Sequence, residues 1–201
     1  MTRHRLVGDL SDLPDHAFGS RSLMWWAVVG FMLIEGAGFL LAGGAYFFLV
    51  GHVQPWPPGQ VPPGLTWGVI FTVLALLSEV PNAWTKGQAQ AYRDGPTRLG
   101  LVIMSLVGAV LLGVRWLEFG ALNTRWDADP YGSIIWALMV LHTLHVITDL
   151  GDTIFITVTS FTHPIDGNHY SGVADNCLYW RFVVVTWLPI AALVYLGPRL
   201  L

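Results

Sequence analysis

Five long stretches of mainly apolar residues alternate with short polar or proline-rich connections along the chain. Each stretch is close to the roughly 20 residues that an α-helix needs to cross a bilayer. The pattern predicts an all-α fold with five transmembrane helices in one domain over residues 23–201. The predicted helices cover residues 23–50, 66–84, 98–122, 131–158 and 178–198.

Composition places the chain in the membrane class. Hydrophobic residues make up 54% of the sequence and charged residues 11%, whereas soluble domains carry about 25% charged residues. The net charge of −3 offers no basic surface for nucleic acid. The one cysteine, Cys177, excludes an internal disulfide framework and a multi-cysteine zinc site.

Lysine and arginine in the short flanks of the helices predict the orientation, because these residues favour the cytoplasmic side. An N-terminus inside the cell also places the connection between the second and third helices inside. The basic residues that then lie inside are Arg3, Arg5, Arg21, Lys86, Arg93 and Arg98, and those outside are Arg125 and Arg199. We therefore expect residues 1–22 to be a cytoplasmic segment and the C-terminus to be periplasmic or otherwise external.

Glu35 is a carboxyl group in the apolar interior of the first helix. At a rise of 1.5 Å per residue it lies about 21 Å from the helix start, beyond the middle of a bilayer. Desolvation disfavours a charge there, so we expect the acid to be protonated. Two interpretations stay open: a carboxyl that exchanges protons or contacts lipid, and a neutral acid hydrogen-bonded between helices. Glu79, two residues before Pro81, is expected to be a polar group satisfied near a proline kink.

Arg115 and Glu118 are three residues apart in the third helix. This spacing lets the two side chains meet on one face of a helix. Both lie close to the predicted outer end of the helix. The spacing predicts a structural ion pair near the membrane interface.

His142, His145, Asp149 and Asp152 follow each other at intervals of three, four and three residues in the fourth helix. This spacing keeps all four on one face, which must point into the protein because polar groups are costly in hydrocarbon. We favour a hydrogen-bonded polar seam between helices. Arg181 begins the fifth helix at a similar depth to the two aspartates, so we expect it to pair with Asp149 or Asp152.

Two histidines in a membrane helix also raise the question of a cofactor. Axial ligands approach a haem from opposite sides, so His142 and His145 on one helix face cannot both bind the same iron. A metal held by histidines and carboxylates of facing helices remains an alternative, because such sites occur in helical bundles. It would need further ligands from another helix.

The order and spacing of several motifs resemble subunit III of the haem-copper oxidases, over roughly residues 21 to 198. A glutamate follows an aromatic-rich stretch in the first helix, and a second glutamate followed by phenylalanine ends the third. Tyr-Gly-Ser, a His-x-Leu-His-Val stretch and an aromatic-rich opening of the last helix come next. The matching residues are Trp25-Trp26 through Glu35, Glu118-Phe119, Tyr131-Gly132-Ser133, His142-Thr143-Leu144-His145-Val146, and Tyr179-Trp180-Arg181-Phe182-Val183-Val184 with Trp187.

The resemblance implies a non-catalytic subunit of a terminal oxidase in aerobic respiration, of the five-helix bacterial form, in the inner membrane. Subunits of this family have no active site and bind no haem or copper, which lie in the catalytic subunit I. They pack against subunit I in a complex that also contains subunit II. They hold phospholipid and support proton uptake by subunit I. The glutamate matched by Glu35 is the family's carbodiimide-reactive carboxyl.

Several positions depart from the family pattern. Arg181 and Val184 stand where the last helix usually has histidine and aspartate, Arg115 replaces a glutamine, and Asp149 and Asp152 are additional acids. These departures mark a divergent branch. They leave open an accessory subunit of a nitric oxide reductase or of another respiratory complex. A small proton-coupled transporter that uses Glu35, Glu79 and the histidines is an alternative of another class, although no inverted repeat is visible.

Overall fold

The computed structural model describes residues 22–59, 61–163 and 167–201, without the side chains of residues 167 and 168. The predicted N-terminal segment 1–22 therefore lies outside the described residues, apart from Ser22. The described part is helical and contains no strand, and five helices are long and apolar enough to cross a membrane. The bounds are α1 Leu23–His52, α2 Leu65–Gln90, α3 Asp94–Gly120, α4 Pro130–Thr162 and α5 Gly167–Ala191, followed by a π-helical segment Ala192–Leu196 and α6 Gly197–Leu200.

The all-α fold with five membrane helices is confirmed, but α5 begins eleven residues before the predicted position 178. The added residues are mainly polar, and the sequence pattern predicts a connection for them. In the structure their side chains bond to other helices: Tyr170 donates to Asp94, and the Asn176 amide donates to Asp152 at 3.1 Å. Because these polar side chains bond to neighbouring helices, the start of α5 lacks the apolar run from which a membrane helix is predicted.

Helices α2 to α5 form a four-helix bundle in which α2 packs on α3 and α5, and α4 packs on the same two helices. The core between them contains large, fully buried side chains such as Phe71, Leu111, Leu138 and Trp187. Helix α1 packs on α4 and α5 at the side of this bundle, and its one buried residue is Tyr46. Most of the α1 surface therefore faces away from the rest of the chain.

The Tyr131-Gly132-Ser133 sequence fixes the start of α4. Asp129 accepts from the Gly132 backbone N–H at 2.7 Å and so caps the helix. A side chain at Gly132 would collide with the Arg125 carbonyl. Ser133 donates to the Trp126 carbonyl at 2.7 Å. These contacts hold the α3–α4 connection against the start of α4, which explains why glycine and serine occupy these positions.

Polar side chains tie α2 to α5 within the apolar core. The indole N–H of Trp180 donates to the Ser78 hydroxyl at 2.8 Å, and that of Trp187 donates to the Thr72 hydroxyl at 2.8 Å. A large aromatic ring can be buried in this way without leaving its N–H unsatisfied. These bonds fix the depth of α5 relative to α2, which positions the side chains that α5 contributes to the polar clusters.

Helices α2 and α3 approach each other closely at Gly100. A Cβ atom added to Gly100 would overlap the fully buried Thr85 side chain. The close approach of the two backbones therefore depends on glycine at this position.

We expect Gly100→Ala to destabilise the bundle by about 1–3 kcal/mol, the usual cost of overpacking. Unfolding of the purified protein by increasing mole fractions of dodecyl sulfate, followed by circular dichroism, measures this change. Gly113→Ala in the same helix is the matched control, since nothing lies within 4 Å of a Cβ atom there. Equal stability of the two variants would contradict the packing argument.

Candidate functional site

Arg115 lies at the centre of a polar cluster in the bundle core, with 1% of its surface exposed. Its Nη1 donates to Glu118 Oε2 at 2.7 Å, and Tyr195 of the π-helical segment donates its hydroxyl proton to the other oxygen of that carboxylate. The guanidinium carbon lies 3.6 Å from the ring centre of Phe71 and 4.1 Å from that of Trp187. Stacking on aromatic rings stabilises a cation strongly when both are desolvated.

His142 belongs to the same cluster, and its two ring nitrogens have defined roles. Nε2 lies 3.0 Å from the Val183 carbonyl, which can only accept, so Nε2 carries the hydrogen. Nδ1 lies 3.0 Å from Arg115 Nη2, which can only donate, so Nδ1 accepts. His142 is therefore a neutral imidazole with both nitrogens occupied, and no lone pair is left for a metal.

The structure thus contains the predicted Arg115–Glu118 ion pair at 2.7 Å, and both side chains are buried between the helices. We call Arg115, Glu118, His142 and Tyr195 the arginine cluster. The i, i+3 spacing indicated the pair, whereas His142 and Tyr195 come from α4 and the segment after α5. The sequence signal for such partners is weak, since a tyrosine in an apolar helix has many possible roles.

A second cluster joins α1 to α4 and α5 through Glu35. One carboxyl oxygen of Glu35 lies 3.1 Å from His145 Nε2, and the other accepts from the Tyr179 hydroxyl at 2.8 Å. The side chains of Glu35 and His145 are 12% and 10% exposed. The Phe39 ring covers His145, with the ring centres 4.7 Å apart. We call Glu35, His145 and Tyr179 the glutamate cluster.

Proton positions in the glutamate cluster follow from its geometry. His145 Nδ1 lies 2.6 Å from the Leu141 carbonyl and must donate to it. The contact between His145 Nε2 and Glu35 then requires one further proton, which resides either on the imidazole or on the carboxyl group. The pair therefore holds a single proton between two groups that are almost buried.

Asp149 and Asp152 lie beyond the glutamate cluster, toward the end of the bundle at which α2 joins α3. Asp152 is exposed and accepts from the Asn176 amide at 3.1 Å. Asp149 is 1% exposed, and neither of its carboxyl oxygens has a hydrogen-bond partner among the described residues. The two acids border a cleft of about 350 Å³ whose apolar walls include Val28, Phe31 and Phe155.

The predicted pairing of Arg181 with Asp149 or Asp152 is wrong. Arg181 Nε donates to Glu79 Oε2 of α2 at 2.8 Å, and its side chain is 50% exposed. Arg181 lies on the side of α5 that faces α2, whereas the two aspartates lie on α4. The sequence places Arg181 near the start of the fifth helix but does not determine which neighbouring helix its side chain faces.

The predicted polar seam of α4 is divided between separate partners. His142 joins the arginine cluster, and His145 joins the glutamate cluster. Asp152 accepts a hydrogen bond from Asn176, whereas Asp149 has no hydrogen-bond partner among the described residues. Over the described ranges no group of three or more His, Cys, Asp or Glu side chains has an arrangement that could hold a metal ion. The α4 stripe is thus a set of helix contacts to α3, α5 and α1.

A long groove runs between α1 and α5 on the membrane-facing surface. Its volume is about 860 Å³. Its walls are apolar and include the glycines of α1 that leave room beside the helix backbone. The lining includes Met32, Gly36, Leu40, Gly43, Phe182 and Leu193.

The fold and its clusters define a five-helix membrane bundle with buried ionisable side chains. Residues 48–197, which extend from the end of α1 to the π-helical segment, match the model of the cytochrome c oxidase subunit III family. This chain belongs to that family. Cytochrome c oxidase subunit 3 of Allomyces macrogynus is 27% identical over 145 residues, which cover 70% of this chain and 52% of that protein. The chain spans about half the length of this curated relative.

We expect Glu118→Leu to destabilise the bundle by about 3–5 kcal/mol, because it leaves the buried Arg115 cation without its counter-charge. The double variant Arg115→Met with Glu118→Leu should be more stable than Glu118→Leu alone, since it removes both charges. Dodecyl sulfate unfolding of the wild type, the two single variants Glu118→Leu and Arg115→Met, and the double variant measures the coupling between the two positions.

The exposed pair formed by Arg125 and Asp127, 2.9 Å apart, is the control for this experiment. Asp127→Ala should change stability little, because water and salt screen an exposed pair. Additive effects of the Arg115 and Glu118 substitutions would show that the two charges do not depend on each other.

Proposed function

We propose that this chain is a non-catalytic membrane subunit, of the subunit III type, in a haem-copper terminal oxidase of aerobic respiratory electron transport. The match to the family over residues 48–197 is the observation that supports this most directly. The five helices that are long and apolar enough to cross a membrane agree with an integral membrane subunit of this type.

The proposed partners are the catalytic subunit I and its companion subunit II, in the inner membrane of a bacterium. Helix α1 supports a partner interface or a lipid interface, because its apolar side chains are largely uncovered by the rest of the chain. Leu33, Leu40 and Leu41 are 71%, 79% and 76% exposed. Apolar surface of this extent is expected to face either hydrocarbon or another membrane subunit.

Phospholipid is the proposed occupant of the α1–α5 groove. The groove is long and apolar, and the glycines of α1 give an acyl chain access to the helix backbone. Gly36 faces Phe182, and a Cβ atom at this glycine would lie 3.8 Å from that ring. The groove therefore has the shape and chemistry for one or two hydrocarbon chains rather than for a polar metabolite.

The glutamate cluster is the proposed link between this subunit and proton uptake by its catalytic partner. Glu35 and His145 share one proton at 3.1 Å, and Tyr179 donates to the same carboxyl group. A shared proton in a poorly solvated site can move between the two groups without a large rearrangement. The arginine cluster has no such freedom, because its cation, carboxylate and imidazole each have fixed partners.

Purification of the chain from its native membrane under mild conditions tests the proposed complex. We expect a large haem-bearing subunit to co-purify with the chain, identified by mass spectrometry, and the complex to reduce oxygen. The chain expressed alone should show no haem absorption. Isolation of the chain without any haem-bearing partner would contradict the proposal and would favour a free-standing transporter.

A co-purifying subunit that reduces nitric oxide instead of oxygen would assign the chain to a nitric oxide reductase. This alternative is supported by the departures from the oxidase pattern at Arg115 and Arg181, both of which form ion pairs in the structure. Comparison of oxygen and nitric oxide consumption by the same purified complex distinguishes the two.

We expect Glu35→Ala to leave the complex assembled while turnover declines faster during sustained catalysis. The substitution removes the carboxyl group that shares a proton with His145, and it also leaves the Tyr179 hydroxyl without its acceptor. Oxygen consumption by the purified complex over many turnovers, with the retained phospholipid measured by mass spectrometry, gives the result.

Glu79→Ala is the matched control, because Glu79 is also a membrane-helix carboxyl but pairs with the half-exposed Arg181. It should leave the time course of turnover unchanged. If the time course is unchanged in the Glu35 variant as well, the proposed role of the glutamate cluster in proton uptake is contradicted.

A further inference from the structure

Asp149 is the one acid of the α4 stripe whose carboxyl group is buried and lacks a partner among the described residues. It is 1% exposed, and both oxygens are without a hydrogen bond. The side chain borders the 350 Å³ cleft that α1, α4 and α5 enclose. The exposed Asp152 lines the same cleft, so the cleft joins the buried acid to an exposed carboxyl group.

The ionised form of Asp149 has no counter-charge in this position. The acids around it would repel a second negative charge, and the described ion pairs use other partners. A buried carboxyl group in such surroundings is expected to remain neutral by keeping its proton. The titratable groups that face the cleft or lie beside Asp149 are Glu35 of α1, His145 and Asp152 of α4, and Asp175, Cys177 and Tyr179 of α5.

Two of the neighbouring acids, Glu35 and Asp152, have different environments from that of Asp149. Glu35 shares a proton with His145 and accepts from Tyr179, so that either protonation state of this carboxyl is satisfied. Asp152 is exposed and accepts from the Asn176 amide. Asp149 has neither compensation, and its neutral form is the one that the structure can accommodate.

We propose that Asp149 is a proton-binding site of this chain: a protonated carboxyl group that exchanges its proton with water through the cleft between α1, α4 and α5. Its site is distinct from the Glu35–His145 pair, and the chain therefore holds two separate protons on its α1-facing side. The Tyr179 hydroxyl, which lines the cleft and donates to Glu35, lies between the two sites. Proton binding at Asp149 depends on the chemistry of the cleft and not on which respiratory complex the chain joins.

Infrared spectroscopy of the full-length chain in lipid tests this proposal, because a protonated carboxyl group has a C=O stretching band that an ionised carboxylate lacks. We expect such a band at neutral pH. Incorporation of aspartate labelled with ¹³C at its side-chain carboxyl carbon should move the band to lower frequency, which separates aspartate from glutamate without any substitution. Transfer from H₂O to D₂O should shift it again, since the proton exchanges with water.

Substitutions then assign the band to one residue. Asp149→Asn should remove it, and this variant keeps the shape of a neutral aspartic acid, so the fold should be retained in circular dichroism. Asp152→Asn and Glu35→Gln should each leave the aspartate band in place. The proposal is overturned by a band that ¹³C-aspartate does not shift, by one that survives Asp149→Asn, or by one that D₂O leaves unchanged after full equilibration.

Discussion

The burial of the Arg115 guanidinium constrains the whole bundle. A cation in the core of a membrane domain must find a counter-charge, hydrogen-bond acceptors and polarisable neighbours, because water is not present to solvate it. Here Glu118, His142 and the rings of Phe71 and Trp187 supply them. These groups come from α2, α3, α4 and α5, so one side chain sets the relative depth and rotation of four helices. Any helix that shifted would expose an unpaired charge to hydrocarbon.

The side of the bundle that faces α1 follows a different rule. The side chains of Glu35 and His145 keep 12% and 10% of their surface exposed there, and α1 contributes Glu35. The glutamate cluster holds a proton between two groups, and the nearby Asp149 has no hydrogen-bond partner within the part of the chain that the structure describes. A purely structural core pairs nearly all of its buried polar groups, because each missing hydrogen-bond partner lowers the stability of the fold. The proposed proton binding at Asp149 would explain why this region keeps a buried carboxyl group without a hydrogen-bond partner among the described residues.

The separation of the two clusters also explains how one helix stripe can have two roles. His142 and His145 are three residues apart on α4, and their side chains diverge enough to reach different neighbours. His142 meets Arg115 of α3 and the α5 backbone, whereas His145 meets α1. Rigid anchoring of α4 through His142 holds His145 in position against Glu35. The arginine cluster therefore also orients the histidine that contacts Glu35.

Sequence alone determined the number of membrane helices, their approximate bounds and the family resemblance, because hydrocarbon thickness and backbone hydrogen bonding leave an apolar segment few alternatives. It also indicated the Arg115–Glu118 contact, since local spacing fixes which groups meet within one helix. Tertiary structure decided every partner between helices: Arg181 with Glu79 rather than an aspartate, His142 with Arg115, and Asp149 with none. It also decided that the polar start of α5 is helical. The physical reason is that contacts between helices depend on their rotation and depth, which the packing of all five sets together and no single segment encodes.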